Sequence, residues 1–187
     1  MAAILVVVGT LALCFGVDRL FTKLFRSKVQ HRSGLSVRLN KRYASFGLIL
    51  AVIGVAGLIS GTLATAAMIL GGVLVTLLGI GLVVYYMTFG IYYDGDSFIV
   101  TTFGSQSRTY RFGDICCQQL YVVQGGNTVV DLYMKDGRTV QVQSGMEGAY
   151  AFLDHAFTAW LRQTGRDSAT CDFHDPGNSV WFPPLEA

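Results

Sequence analysis

The sequence predicts an α-helical membrane anchor of three transmembrane helices followed by a small α+β domain, in which an antiparallel meander or partly open β-barrel is closed by one C-terminal helix. Three observations lead there. Only 14% of the 187 residues are charged and 52% are hydrophobic, with mean hydropathy +0.47, against about 25% charged in a soluble domain. The charge is also divided. Residues 1–93 carry eight Lys or Arg and one acid, and residues 94–187 carry six and eleven, so a total of +2 conceals halves of +7 and −5 that must meet different surroundings. From Ile91 onward the apolar period changes from helical to alternating.

The anchor is read from its lengths. Between Arg42 and Asp94 lie 51 residues without a charge or a His. About 20 apolar residues rising 1.5 Å each cross a hydrocarbon core of roughly 30 Å, so this run makes two crossings. Ser60, Gly61, Thr62 and Thr65 form the only polar cluster within it and therefore the turn, giving spans near 44–60 and 66–88. A third span, near 2–20, opens with MAAILVVVGTLALCFGV. Its positive charge follows the apolar run rather than preceding it, and no small-x-small pattern follows, so it reads as an uncleaved anchor. Leu11-Ala12-Leu13-Cys14 partly resembles a bacterial lipidation box, but Leu13 is too large for it, and an unmodified thiol is expected.

Residues 19–42 lie between the first two spans and hold all eight cations of this half: Arg19, Lys23, Arg26, Lys28, Arg32, Arg38, Lys41 and Arg42. Cations concentrate in short cytoplasmic loops, which places this loop and the C-terminal domain in the cytoplasm and the N-terminus outside. The same eight side chains are candidate contacts for anionic lipid headgroups, at about 1 kcal/mol each near the surface. Leu20, Phe21, Leu24, Phe25 and Val29 recur at helical spacing, as in an interfacial helix. A segment tethered at both ends with few stacking aromatics is not a nucleic-acid arm.

Glycines recur seven apart within each span: Gly9 and Gly16, then Gly47, Gly54 and Gly61, then Gly72 and Gly79. Seven residues make two turns, so each set forms one stripe on which helices can approach closely. Neither of the later two spans contains an ionisable Asp, Glu, Lys, Arg or His, which argues against an ion path.

In the C-terminal half, IYYD, SFIVTTF, RTYRF, ICCQQLYVV, TVVDLYM and RTVQV read as six strands joined as consecutive hairpins through Asp94-Gly95, Gly104-Ser105, Gly125-Gly126-Asn127 and Asp136-Gly137. Alternation nominates Phe98, Val100, Tyr110, Phe112, Leu120, Val122, Val130, Leu132, Val140 and Val142 as core. A helix is expected from Met146 to Thr164, with Met146, Ala149, Tyr150, Leu153, Phe157, Trp160 and Leu161 as its apolar stripe. The divisions are thus 1–88, 89–165 and a flexible tail, 166–187.

The Tyr110-Arg111-Phe112-Gly113-Asp114-Ile115 strand entry, the short glycine turns and Trp160 in a closing helix resemble the bacterial pleckstrin-homology-like domains that follow short transmembrane hairpins. The resemblance covers residues 91–164 and implies a seven-stranded fold, one strand more than the sequence displays. Lipid-binding members line their first hairpin loop with basic residues. Here that loop is Asp94-Gly95-Asp96, which repels a phosphoinositide.

The tail has Pro and Gly, four acids to one Arg and no period, and its apolar end, Trp181, Phe182, Pro183 and Pro184, can anchor in a groove of its own domain or of a partner. No catalytic constellation and no cofactor motif stands out. Cys171-Asp172-Phe173-His174 has a metal-like spacing, but adjacent Cys116 and Cys117 point to opposite faces of a strand, leaving too few ligands for a closed site. Asp154 and His155 lack a nucleophile. The expectation is a non-catalytic membrane protein presenting a cytoplasmic domain to a protein partner, with Trp181, Phe182 and Pro183 as candidate contacts. The alternatives are an anionic-lipid sensor working through the basic loop, or an accessory subunit of a larger membrane complex.

Overall fold

A computed structural model of the chain describes residues 35–60, 66–102 and 107–186. It is an α+β protein that divides into two compact units; among the described residues, one contains the helical segment 40–89 and the other contains 35–39 with 90–186.

The first unit is a helical hairpin of α1 (Lys41–Ser60) and α2 (Ala66–Thr88). Asn40 starts α1: its side-chain oxygen accepts from the Arg42 amide at 3.0 Å and its carbonyl from Tyr43 at 3.0 Å. Both helices are long and apolar enough to cross a membrane. Their outer faces expose Phe46, Ile49, Ile53, Leu70, Leu74, Leu77 and Leu78. Glycine joins the inner faces. A Cβ placed on Gly54 would lie 2.5 Å from the Thr76 amide and 2.8 Å from the Gly72 carbonyl, and one on Gly79 would lie 2.6 Å from the Gly47 carbonyl. Gly47 thus meets Gly79, and Gly54 meets Gly72, at a separation that any side chain would force open. Thr76 at this seam keeps its hydroxyl satisfied within its own helix, on the Gly72 carbonyl at 2.8 Å.

Among its described residues the second unit has seven strands: β1 (Ser36–Val37), β2 (Gly90–Tyr93), β3 (Ser97–Thr101), β4 (Arg108–Arg111), β5 (Ile115–Val122), β6 (Thr128–Met134) and β7 (Thr139–Gln143), followed by helix α3 (Ala149–Thr164). All sheet pairings are antiparallel, in a four-stranded sheet β1-β2-β3-β4 and a three-stranded sheet β5-β6-β7. Two sequence expectations change here. The described residues hold seven strands rather than six, because Val37, from the stretch read as basic loop, pairs opposite Ile91 and is fully buried. The hairpins are not all consecutive either: between β4 and β5 the chain makes a 3-10 turn, Phe112–Asp114, which drives Phe112 into the core and separates the sheets.

The helical hairpin therefore occupies the connection between neighbouring strands β1 and β2, with three residues between Val37 and α1 and one between α2 and Gly90. β1 is fixed on its other side as well. Arg38 and Glu147 exchange backbone hydrogen bonds of 3.1 and 2.8 Å, and Gly148, at φ +82°, leaves room for the Ser36 carbonyl, which a Cβ would approach to 2.7 Å.

α3 starts three residues later than the apolar stripe predicts, and Met146 is buried ahead of it. Its buried face, Ala149, Phe152, Leu153, Ala156, Phe157, Ala159 and Trp160, touches both sheets. Phe152 meets Phe98 edge-on at 5.5 Å and Tyr93 at 5.1 Å, while the Trp160 indole N–H donates to the Ile115 carbonyl at 2.9 Å. Burying such aromatics stabilises by about 1.5–3 kcal/mol each. Leu120 and Val122, nominated as core, are instead exposed, Val122 by 67%, because β5 continues past the covered part of the sheet toward the Gly125-Gly126 turn. Val100 and Tyr110 are half-buried.

Candidate functional site

The residues after α3 build the most distinctive feature of the domain. The tail, expected to be flexible, is folded against it by local caps. Asp167 accepts from the Ala169 amide at 3.1 Å, Asp175 accepts from the Gly177 amide at 3.0 Å, and Asp175 and Val180 exchange backbone bonds of 2.6 and 2.9 Å. Hydrogen bonds from the Asn178 side chain and amide hold the Asp175 carboxyl below its usual pKa against an opposing effect of burial, with the Gly177 amide and His174 adding to the lowering. Beyond Ser179, which has φ +59°, the chain runs extended along the free edge of β5.

Gln118 organises this contact. Its amide donates to the Pro183 carbonyl at 2.7 Å and its carbonyl accepts from Leu185 at 2.8 Å, a parallel bridge. The Gln118 side chain is only 3% exposed. Its Nε2 donates to the Ser179 carbonyl at 2.8 Å, and its Oε1 accepts from the amides of Trp181 and Phe182 at 3.2 and 3.1 Å. A glutamine, with donor and acceptor on one planar group, meets both demands of a strand passing at an angle. Pro183 and Pro184 then leave no amide donors of their own on the new edge, which discourages further strand addition.

The side chains complete a groove between β5 and α3. Phe182 is fully buried, edge-on to Phe157 at 5.8 Å and Trp160 at 5.7 Å. Phe173 packs edge-on to the same two rings at 6.2 Å, and the His174 ring stacks on Phe157 at 4.0 Å. Trp181 is 1% exposed beside Tyr150, with ring centroids 5.9 Å apart. Unlike the Trp160 indole, the Trp181 Nε1 is buried without a hydrogen-bond partner, as is His174 Nε2. Sequence reasoning named Trp181, Phe182 and Pro183 as candidate partner contacts; in the structure Trp181 and Phe182 are spent on the chain's own groove, and Pro183 supplies a carbonyl to Gln118. Gln118 was missed. Its only sequence signal is a polar residue on the strand face shared with Leu120.

The other predicted residues are dispersed. Arg38 lies over the Tyr92 ring at 5.7 Å, and Lys41 and Arg42 are exposed in the first turn of α1. Arg19, Lys23, Arg26, Lys28, Arg32, Gly9, Gly16 and Gly61 lie outside the described residues. The Asp94-Gly95-Asp96 turn is tied to α3: the Arg162 guanidinium donates to the Gly95 carbonyl at 2.6 Å and the Asp96 carboxylate at 2.5 Å, Gln163 donates to the Asp96 carbonyl at 2.8 Å, and a His155 ring nitrogen lies 2.8 Å from the Asp94 carbonyl. Burial works to raise the Asp94 pKa, but hydrogen bonds from Asp96 and Ser97 and the neighbouring His155 outweigh it, and the net shift is downward. An open groove of about 620 Å³ beside β4 is lined by Arg108, Tyr110, Asp114, Met134, Lys135 and Asp136. It carries ionic groups of both signs.

Cys116 is exposed, Cys117 half-buried and Cys171 buried. Burial, then the neighbouring Cys116 and Glu186, pushes the Cys117 thiol up, away from the reactive thiolate. Among the described residues, no three His, Cys, Asp or Glu side chains come together as they would around a metal ion. Comparison of the chain with protein-family models, with curated proteins and with solved structures found no match.

Proposed function

We propose that the chain is an integral membrane protein whose spans hold a non-catalytic, PH-like domain at the cytoplasmic face, where that domain binds a protein partner. The membrane part is supported by a hairpin whose outer faces, beyond the first turn of α1, are apolar and uncharged, a surface that water does not tolerate over such a length. The PH-like reading is supported by seven antiparallel strands divided four and three, with one closing helix at the end. The partner reading rests on one observation: the domain accepts an extended segment along the β5 edge, with aromatic side chains seated against α3. Strand addition of this kind is a general mode of protein recognition.

Crosslinked co-purification from native membranes tests it. A specific partner recovered with the full chain supports the reading. Recovery of none, under conditions that retain known complexes, removes it.

A second reading, contact with anionic headgroups, is favoured by the exposed Lys41 and Arg42 in the first turn of α1, where the helix dipole adds to their charge. It predicts that membrane contacts of this segment weaken with salt over the physiological range; contacts indifferent to salt would exclude it.

A further inference from the structure

The tail is held as a peptide ligand is held. Five hydrogen bonds join one residue, Gln118, to the short segment Ser179–Leu185, two donated and three accepted by Gln118, and one aromatic ring, Phe182, fills the pocket made by Phe157 and Trp160. The link from α3 is exposed at Gly165–Thr170 and again at Asp175–Asn178, with Cys171, Phe173 and His174 packed between these two stretches, so the segment from Ser179 onward leaves an exposed turn to enter the groove. Its fit is also incomplete. The Trp181 indole N–H and the His174 ring nitrogen are buried without partners, and Ser179 is the one non-glycine residue with positive φ among those described. An ordinary core strand satisfies its polar groups; this contact leaves some unmet, which favours exchange.

We propose that the groove between β5 and α3 is a binding site for an extended segment of a protein partner, with two successive aromatic residues followed by prolines, and that residues 179–186 of the chain itself are the resident occupant which the partner displaces. The chemistry of the occupant is read from the tail: a parallel strand bonded to both backbone groups of Gln118, an uncharged aromatic pair against α3, and prolines at the outer edge. This rests on the reading of the domain as an interaction module and gives that module its site and its control, since the tail competes from within the same chain.

The test uses the full chain in detergent or nanodiscs, with a protease recognition sequence inserted between exposed Arg166 and Asp167. After cleavage, a fluorescent peptide of residues 175–186 is added and its anisotropy followed, with circular dichroism reporting the fold. The proposal predicts that the cut domain keeps its structure, releases the severed fragment and takes up the labelled peptide. The uncut chain, whose tethered tail competes at an effective concentration of about a millimolar, should bind a peptide of micromolar affinity about a thousandfold more weakly. Gln118→Ala in the cut chain should weaken uptake. Loss of structure on cleavage, a fragment that never exchanges, or equal binding by cut and uncut chains would each overturn the proposal. A failed exchange leaves open a partner bound elsewhere on the domain, whereas exchange without any co-purified partner removes the interaction reading and keeps the groove.

Discussion

Replacing Gln118 by Ala removes three side-chain hydrogen bonds at once and leaves the Trp181 and Phe182 amides and the Ser179 carbonyl facing a small buried void. Each bond contributes about 1 kcal/mol net, and each buried group left unpaired costs about 1–3 kcal/mol if water cannot reach it. The loss is thus about 3–5 kcal/mol, a large part of the roughly 5–15 kcal/mol that holds a domain together. Because the tail touches the domain through one strand edge and one helix face, the loss should appear as local opening. Hydrogen exchange of the full chain should therefore show protection at the Trp181, Phe182 and Leu185 amides falling by about two to three and a half orders of magnitude, at about 1.4 kcal/mol per tenfold, while β6 and β7 keep theirs. Gln119, next in sequence but exposed, with a side-chain oxygen that accepts from the Tyr133 hydroxyl, provides the control: its replacement by Ala should change stability by no more than about 0.5 kcal/mol. Unchanged protection at 181–185 in Gln118→Ala, or an equal loss throughout the domain, would refute the reasoning.

Other predictions follow from the same contacts. Gly54→Ala should lower the thermal midpoint of the hairpin in detergent, because its methyl meets backbone atoms of α2, whereas Gly57→Ala, with nothing within 4 Å, should not; equal midpoints would contradict the glycine seam. Val37→Ala, in a strand lying ahead of the hairpin, should destabilise the β domain by about 2 kcal/mol in denaturant titration, and a domain indifferent to it would show that β1 is dispensable. The folded pKa values of Asp94 and Asp175 are depressed, so the stability they confer is present above the unfolded carboxylate value of about 3.9 and is lost as pH falls through the lower folded values. The wild-type domain should weaken on acidification below about pH 4, with a smaller acid sensitivity in Asp94→Asn; an identical acid profile would count against these hydrogen bonds.

The parts of the fold that sequence displays are those with a long period or a strong turn. The charge-free run yields two helices, and the glycine stripes named their seam, since Gly47, Gly54, Gly72 and Gly79 do face one another. Alternation located β2 to β7, and Phe98, Phe112, Val130, Leu132, Val140 and Val142 are buried as expected. β1 escaped because two residues are too short for a period and lie among cations that read as loop. Leu35, Val37 and Leu39 do alternate, and Val37 and Leu39 are buried. The exposure of Leu120 and Val122 reflects where the covering elements end, which strand alternation does not encode. The β-bulge between Ile115 and Cys117 also shifts the register, bringing Gln118 inward. The tail escaped for a related reason: its order comes from one long-range partner, Gln118, more than sixty residues away in sequence, and composition reports only local preference.

The proposal that spans hold the domain at the cytoplasmic face is tested most directly by one labelling measurement on Cys116, the exposed thiol among the described cysteines, in a full chain with Cys14 and Cys117 replaced by Ser. Intact and lysed cells are treated with a membrane-impermeant maleimide, and the membranes are then extracted at alkaline pH. The account predicts that the chain stays in the membrane pellet and that Cys116 is labelled only after lysis. Release into the alkaline supernatant, or labelling of Cys116 in intact cells, would contradict it.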